Sequence, residues 1–239
     1  MKALYPFALI AAVWWLLTAL GVLGNEFVAP PPDRVWDRAR ELIDDGTLAD
    51  QTLATLRRVV IAYVLALLVG ALLGTLIGSF RPARAALRPA VAFLFPTPKV
   101  ALYPAMLIVF GLGSGSKIAF GFAEALFPVL LATAAGTSQV DPRLVWSAAA
   151  LGRSRLRVVL PAALPAVLTG ARIALVGAII GVFLGEMIAG ADGLGHLMAV
   201  GYRTLDTPAM YVAILAVSII GFALDRTFLA VRGRLLTWA

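Results

Sequence analysis

The chain has 239 residues, of which 61% are hydrophobic, 14% are charged and none is cysteine. Soluble domains are closer to half apolar, so this composition predicts a polytopic, all-α membrane protein, and the lack of cysteine excludes disulfides and thiolate metal sites. The net charge of +7 resides in short loops between apolar segments, which is typical of membrane orientation and not of nucleic-acid binding.

The first apolar segment, residues 5–23, follows Lys2 and is long enough to cross a membrane. A signal peptide is the alternative, because Ala19-Leu20-Gly21 resembles a cleavage site. The apolar run is longer than the ~7–15 residues of a typical signal-peptide core. We therefore predict that the segment is retained as the first membrane span.

Residues 24–55 form the one long polar stretch, and we predict an outer amphipathic segment there. Apolar residues within it fall on one helical face, and charged residues occupy the rest of the circumference. The apolar positions are Val35, Trp36, Ala39, Leu42 and Ile43. We expect a surface helix that follows the Pro30-Pro31-Pro32 run and ends at Gly46.

Five further apolar segments complete a prediction of six transmembrane helices in a single domain, residues 1–239. The third span is broken by prolines, including Pro96 and Pro98, and such breaks are tolerated where a neighbour or a cavity satisfies the freed carbonyl groups. The second span carries Gly70, Gly74 and Gly78, a small-residue face for close helix packing. Residues 189–207 are predicted to be a polar loop. The remaining spans are residues 56–80, 117–140, 165–187 and 210–231.

The charges predict the orientation of these spans. With the N-terminus inside, the inner segments contain ten basic residues, and their one clear acid is Asp141. The basic residues are Lys2, Arg81, Arg84, Arg88, Arg143, Arg153, Arg155, Arg157, Arg232 and Arg234. Six spans with both termini in the cytoplasm therefore satisfy the positive-inside rule.

The segment 140–165 is a basic loop between two spans, and the orientation places it in the cytoplasm. The small residues 147–150 favour a short helix, and Gly152 allows the backbone to turn after it. Two Leu-Pro pairs follow, Leu160-Pro161 and Leu164-Pro165. We expect both prolines to lie in the first turn of the next helix, where a missing N–H has no cost.

This loop resembles the cytoplasmic loop of importer permeases of the ATP-binding-cassette class. That family has an E-A-A segment, then three intervening residues and a glycine, and later a Leu-Pro pair. Ser147 and Ala148 match the two small positions, Gly152 matches the glycine, and Leu160-Pro161 matches the Leu-Pro pair. Two features depart from the pattern: Trp146 stands where the family has glutamate, and Leu160-Pro161 lies four residues closer to the glycine than usual.

Motifs along nearly the whole chain are similar to the permeases of the sulfonate, nitrate and taurine type. They include Phe27-Val28-Ala29-Pro30, Gly46-Thr47-Leu48, Thr55-Leu56-Arg57-Arg58, Pro96-Thr97-Pro98, Phe110-Gly111-Leu112-Gly113, Gly185-Glu186, Gly193-Leu194-Gly195 and Asp225-Arg226. The resemblance implies the type I ATP-binding-cassette importer fold (MetI-like) and a place in the bacterial inner membrane. It also implies a function, the import of a small organic solute or anion such as a sulfonate, taurine, nitrate or a vitamin precursor.

The same resemblance implies the partners. They are a second permease copy, two ATPase subunits that bind ATP and magnesium, and a periplasmic or lipid-anchored substrate-binding protein. The loop from Trp146 to Pro161, with Arg153 and Arg155, would couple the permease to an ATPase. We expect no cofactor and no enzymatic activity in the chain itself, since it has no phosphate-binding Gly-rich loop and its single histidine, His196, lies in a glycine-rich outer loop where we do not expect it to serve as a base.

A few ionisable residues in or near the spans need an explanation, because a charge inside the bilayer costs ~2.5–3.5 kcal/mol. Lys99, Glu124 and Glu186, with Pro96 and Pro98, are the candidates for the transport pathway or its outer gate. Glu124 could line the pathway, pair with Lys99 or Lys117, or be protonated. Arg172 is expected to snorkel to the inner surface.

An alternative function is a proton-coupled secondary transporter that uses Glu124. Such a carrier needs no docking loop for an ATPase, so the basic loop argues for the importer. Inverted repeats, which many carriers contain, are not evident in the sequence.

Overall fold

The computed structural model describes residues 5–21 and 29–236, and this part of the chain contains ten α-helices and no strand. The all-helical prediction is therefore confirmed. Lys2 and the first residues of the outer segment, 24–28, lie outside the described residues. The helices are α1 (Tyr5–Ala19), α2 (Pro32–Asp44), α3 (Thr47–Ser79), α4 (Arg81–Leu94), α5 (Lys99–Phe110), α6 (Ser114–Ser138), α7 (Pro142–Ala150), α8 (Leu156–Ala189), α9 (Leu194–Thr204) and α10 (Thr207–Leu235).

Four of these helices, α3, α6, α8 and α10, are long and apolar enough to cross a membrane. They correspond to the second, fourth, fifth and sixth predicted spans. The third is a broken pair, because α4 and α5 are bent by 101° at residues 95–98. Proline lacks the N–H that would continue the helix, which accounts for the break at Pro96 and Pro98. The apolar stretch of α1, Leu9–Thr18, is shorter than the first span that we predicted.

The described chain divides into two compact units, the larger of which comprises Arg57–Gly185 and Gly221–Ala239. Its core is built from small residues of three helices: Val59, Ala62, Ala66, Ala125, Val129, Ala174, Ala178 and Val182. The predicted glycine face of α3 packs against α6. A Cβ atom on Gly74 would lie 2.6 Å from the Leu130 carbonyl oxygen, so only glycine allows the two backbones to approach this closely.

The smaller unit comprises the described residues of Met1–Leu56 and of Glu186–Ile220. The predicted amphipathic helix is present as α2, and its buried Val35 and Leu42 pack against Ala209 and Val212. Its polar side forms an ion pair, in which Arg38 Nη2 lies 2.8 Å from Asp206 Oδ2. The neighbouring Asp206 and Glu41 carboxylates raise the pKa of the Arg38 guanidinium, the hydrogen bond with Glu41 being the largest cause.

Two local predictions are wrong. Residues 189–207 are not an irregular loop, since they contain α9, whose Leu197 packs on the apolar cluster of α2. Pro161 and Pro165 do not begin the helix after the basic loop, since α8 already starts at Leu156 and holds both prolines in its interior. The first turn closes earlier, where the Val159 N–H donates to the Arg155 carbonyl oxygen at 3.0 Å.

Candidate functional site

The basic loop contains a short helix, α7, whose beginning is capped by the sequence around it. The Asp141 carboxylate accepts a hydrogen bond from the Arg143 N–H at 2.8 Å, which satisfies one of the free amides of the first turn. Pro142 follows at the first helical position, where it has no N–H to leave unpaired. The helix ends at Ala150, so it is little more than two turns long.

Gly152 ends α7 with a left-handed turn. Its φ is +68°, a conformation that residues with a Cβ atom adopt only at a cost. The Gly152 N–H donates to the Ala149 carbonyl at 3.0 Å, and the Arg153 N–H donates to the Ala148 carbonyl at 2.8 Å. These two bonds form a Schellman motif. A Cβ atom at Gly152 would have no neighbour within 4 Å, so the requirement for glycine comes from the backbone alone.

The outward surface of α7 is apolar, and arginines surround it. Trp146 is 69% exposed and Leu151 is 80% exposed, whereas Ala148 is buried against the chain. Ser147 is exposed, and so are all four arginines of the loop: Arg143, Arg153, Arg155 and Arg157. An exposed aromatic and aliphatic surface with a charged rim is typical of a protein contact.

The matched Leu-Pro pair lies on the exposed side of α8. Leu160 is 49% exposed and Pro161 is exposed, while Val159 and Ala163 beside them are buried. The second pair, Leu164-Pro165, is half-buried one turn further along. The first pair is four residues closer to Gly152 than is usual in the family. The second pair lies four residues further along the chain, so its distance from Gly152 is the usual one.

Pro96 and Pro98 lie in the break between α4 and α5, and Lys99 begins α5. The Lys99 ammonium donates a hydrogen bond to the Phe95 carbonyl at 3.0 Å. It also lies over two rings, 5.6 Å from the centroid of Phe95 and 5.2 Å from that of Phe127. A cation at the C-terminal end of α4 is stabilised by the helix dipole and by the faces of the two aromatic rings. The charge of Lys99 therefore has favourable partners at the break between α4 and α5.

Glu124 is half-buried in α6. No residue that the structure describes forms a hydrogen bond or ion pair with its carboxylate. The predicted alternatives, pairing with Lys99 or Lys117, are not formed: Lys99 bonds to the Phe95 carbonyl, and Lys117 bonds to the carbonyls of Leu112 and Gly113. A carboxylate in an apolar span thus lacks a basic partner within the described chain.

Glu186 is fully buried in the last turn of α8, a few residues before α9 begins. Its Oε2 atom accepts hydrogen bonds from the Thr55 hydroxyl at 2.7 Å and from the Gly195 N–H at 3.1 Å. Gly193 has a φ of +101°, and a Cβ atom there would lie 2.2 Å from the Glu186 carboxyl carbon. Glu186 therefore anchors the N-terminus of α9, where the helix dipole favours a negative charge.

The sequence did not predict the contacts made by Thr55, Gln51 and Asp225. Thr55 and Gln51 from α3 hold the N-terminus of α9, since Gln51 accepts from the Gly193 N–H. Arg172 does not merely snorkel. It forms a two-pronged ion pair with Asp225, in which its Nε and Nη2 atoms lie 2.7 and 3.0 Å from the two carboxylate oxygens. Only the family-like Asp225-Arg226 motif marked that position.

The chain matches a known family over most of its length. The sequence model of the family described as binding-protein-dependent transport system inner membrane component matches residues 54–236. A probable ABC transporter permease protein of Brucella melitensis is 34% identical over 98% of this chain and 96% of that protein. The taurine transport system permease protein of Escherichia coli is 32% identical, over 97% of this chain and 87% of that protein. The riboflavin transport system permease protein of Chloroflexus aurantiacus is 32% identical, over 83% of this chain and 75% of that protein.

Proposed function

Because the chain belongs to the family of binding-protein-dependent transport system inner membrane components, we propose that it is the permease subunit of an ATP-driven importer of a small organic solute or anion. In such a system the ATPase is a separate subunit, so ATP and magnesium bind to the partner and not to this chain. Two permease copies form the membrane part as a homodimer, and each copy engages one ATPase.

The exposed surface of α7 is the observation that carries this proposal. Trp146 and Leu151 present apolar area, and the surrounding arginines, including Arg153 and Arg155, supply charge. An aromatic side chain offers a large rigid contact surface, so Trp146 takes the place of the family's glutamate at the ATPase. Gly152 sets the angle between α7 and α8 through its left-handed turn.

ATP binding closes the two ATPases and displaces α7, and α8 carries that movement into the membrane. The pathway then changes from inward-facing to outward-facing. A substrate-binding protein on the outer side releases its cargo into the pathway, so selectivity resides mainly in that protein. In this arrangement both termini and the arginines of the basic loop face the cytoplasm, in agreement with the positive-inside rule.

The environment of Glu124 bears on the cargo. A carboxylate without a basic partner repels anions if it is ionised, and it donates a hydrogen bond if it is protonated. Both forms favour a neutral or cationic solute with hydrogen-bonding groups over an inorganic anion. Taurine, a zwitterion, and riboflavin, a neutral molecule, are the solutes in the names of two relatives, and neither is an inorganic anion. We infer that the cargo of this chain is likewise an organic solute without net negative charge.

The unpaired Glu124 also supports a second candidate, a proton-coupled carrier. One experiment separates the two functions. The chain is purified from its native membrane, and the subunits that co-purify with it are identified. These proteins and the binding protein are then reconstituted in liposomes, and uptake is driven either by ATP or by a proton gradient. The importer requires co-purification of an ATPase and uptake with ATP alone. Uptake driven by the proton gradient without any ATPase would establish the carrier instead.

A further inference from the structure

A groove on the surface of α4 contains three arginines and no acid. It has a volume of about 450 Å³ and is lined by Arg81, Arg84, Ala85, Arg88, Pro89 and Ala92. Arg81, Arg84, Arg88 and Ala92 are spaced by three or four residues and therefore share one face of the helix. Along this face, ~16 Å in length from Arg81 to Ala92, the lining changes from charged to apolar.

The three arginines differ in what they bind. Arg84 is occupied, since its Nε and Nη2 atoms donate to the carbonyls of Ile77 and Gly78 at 2.9 and 2.6 Å and so cap the end of α3. Arg81 and Arg88 are exposed, and neither forms a hydrogen bond or ion pair with any residue that the structure describes. Two guanidinium groups beside the membrane are thus available to an external anion.

A second cavity adjoins the groove and shares Arg84 and Arg88 with it. This cavity has a volume of about 300 Å³ and lies between α3, α4 and α6. Beyond the arginines its walls are mostly apolar, formed by Ile77, Val91, Leu130, Leu131, Ala134 and Ala135. The combined space therefore has a cationic end and an apolar end, which is the complement of an amphiphile with an anionic head.

We propose that the α4 groove binds an anionic phospholipid. The phosphate lies at Arg81 and Arg88, which can each donate two hydrogen bonds to phosphate oxygens, and an acyl chain lies against Val91 and Leu131. Basic pockets between membrane helices on the cytoplasmic side are suited to acidic headgroups. A small free anion would occupy the charged end alone and would leave the apolar cavity without a ligand, so the lining favours a lipid.

The test uses the full chain with its co-purifying subunits in nanodiscs of phosphatidylcholine, with or without phosphatidylglycerol. The number of retained phosphatidylglycerol molecules is measured by native mass spectrometry, and the melting temperature by light scattering. Because each of the two guanidinium groups donates charge-assisted hydrogen bonds to the phosphate, the double variant R81Q/R88Q should bind phosphatidylglycerol at least about 30-fold more weakly. R81K/R88K keeps the charge and should recover much of the binding. Arg84 is left unchanged because it caps α3.

The matched control is R232Q/R234Q, which removes the same charge at the end of α10. Neither Arg232 nor Arg234 lines the groove. It should retain phosphatidylglycerol as the unchanged chain does. Equal retention by R81Q/R88Q and the unchanged chain would overturn the proposal, as would equal loss in both double variants. Inorganic phosphate is titrated in phosphatidylcholine nanodiscs as the last arm. If phosphate raised the melting temperature as much as phosphatidylglycerol does, the ligand of the groove would be a free anion and not a lipid.

Discussion

The Thr55 hydroxyl bridges the Glu186 carboxylate and the first turn of α9. It donates to Glu186 Oε2 at 2.7 Å and accepts from the Leu194 N–H at 2.8 Å. Thr55 and Glu186 are both fully buried. One hydroxyl therefore satisfies a buried carboxylate and a helix-terminal amide, two groups that are costly to leave without a partner.

The variant Thr55→Val should lower the free energy of unfolding by about 1–3 kcal/mol, because it leaves both groups with one hydrogen bond fewer at nearly unchanged volume. Thermal unfolding of the full chain in nanodiscs measures this effect. Thr55→Ser keeps the hydroxyl and should lie close to the unchanged chain. Thr169→Val is the matched control, since the exposed Thr169 hydroxyl bonds only within α8, to the Pro165 carbonyl. If Thr55→Val and Thr169→Val melted alike, the bridge would have no energetic role.

Replacing Gly152 with leucine should abolish uptake while the protein still inserts and folds. The backbone there has a φ of +68°, and a side chain in this region costs ~1–2 kcal/mol, so the turn that orients α7 is lost. Uptake and binding-protein-stimulated ATP hydrolysis in liposomes measure the coupling, and the amount of protein in the membrane measures insertion.

Gly46 offers a matched control for this variant. It ends α2 with a φ of +79°, and a Cβ atom there also has no neighbour within 4 Å. Gly46→Leu therefore imposes a similar backbone cost in the outer segment, and uptake should persist. Normal uptake by Gly152→Leu would refute the coupling role, whereas equal loss in both variants would show a general effect of strain.

Trp146→Ala should weaken association with the ATPase more than Trp146→Phe does, because phenylalanine keeps most of the aromatic contact area. The yield of ATPase that co-purifies with each variant at increasing salt concentration measures the association. Trp36→Ala removes another exposed tryptophan, 58% exposed on α2, and should leave the yield unchanged. Equal yields from the alanine and phenylalanine variants of Trp146 would leave no docking role for the ring.

Glu124→Gln should change the rate of uptake and remove part of its pH dependence, since the substitution keeps the shape of the side chain but cannot ionise. Uptake is measured in liposomes with the ATPase and the binding protein at several pH values. Asp37→Asn is the control, because Asp37 is an exposed acid on α2. Unchanged uptake at every pH would make Glu124 structural and would favour an anion as the cargo.

Features that depend on neighbours in the chain could be predicted from the sequence. The apolar stripe of α2 follows from helical periodicity, and the left-handed turn at Gly152 follows from the conformational freedom of glycine after a short run of small residues. The break at Pro96 and Pro98 follows from missing amides. Each of these signals lies within a few residues of the structure that it specifies.

Features that depend on distant partners could not be predicted. Thr55 and Glu186 are 131 residues apart, and nothing near either one marks the other. Residues 189–207 are polar and rich in glycine, yet they contain α9, whose Leu197 packs against the apolar cluster that includes Val35 and Leu42 of α2. For α8, the first turn closes before Pro161, so both prolines fall in the interior of the helix.

The glycine face of α3 has a mechanical consequence. A Cβ atom on Gly70, Gly74 or Gly78 would come within 3 Å of α6 atoms, so no flexible side chains lie between the two backbones at these positions. Sliding one helix past the other would require whole turns to separate, and small rotamer changes cannot absorb such a shift. We therefore expect residues 70–78 of α3 to move with α6 as one rigid body, and their amide hydrogens to exchange with solvent together and slowly.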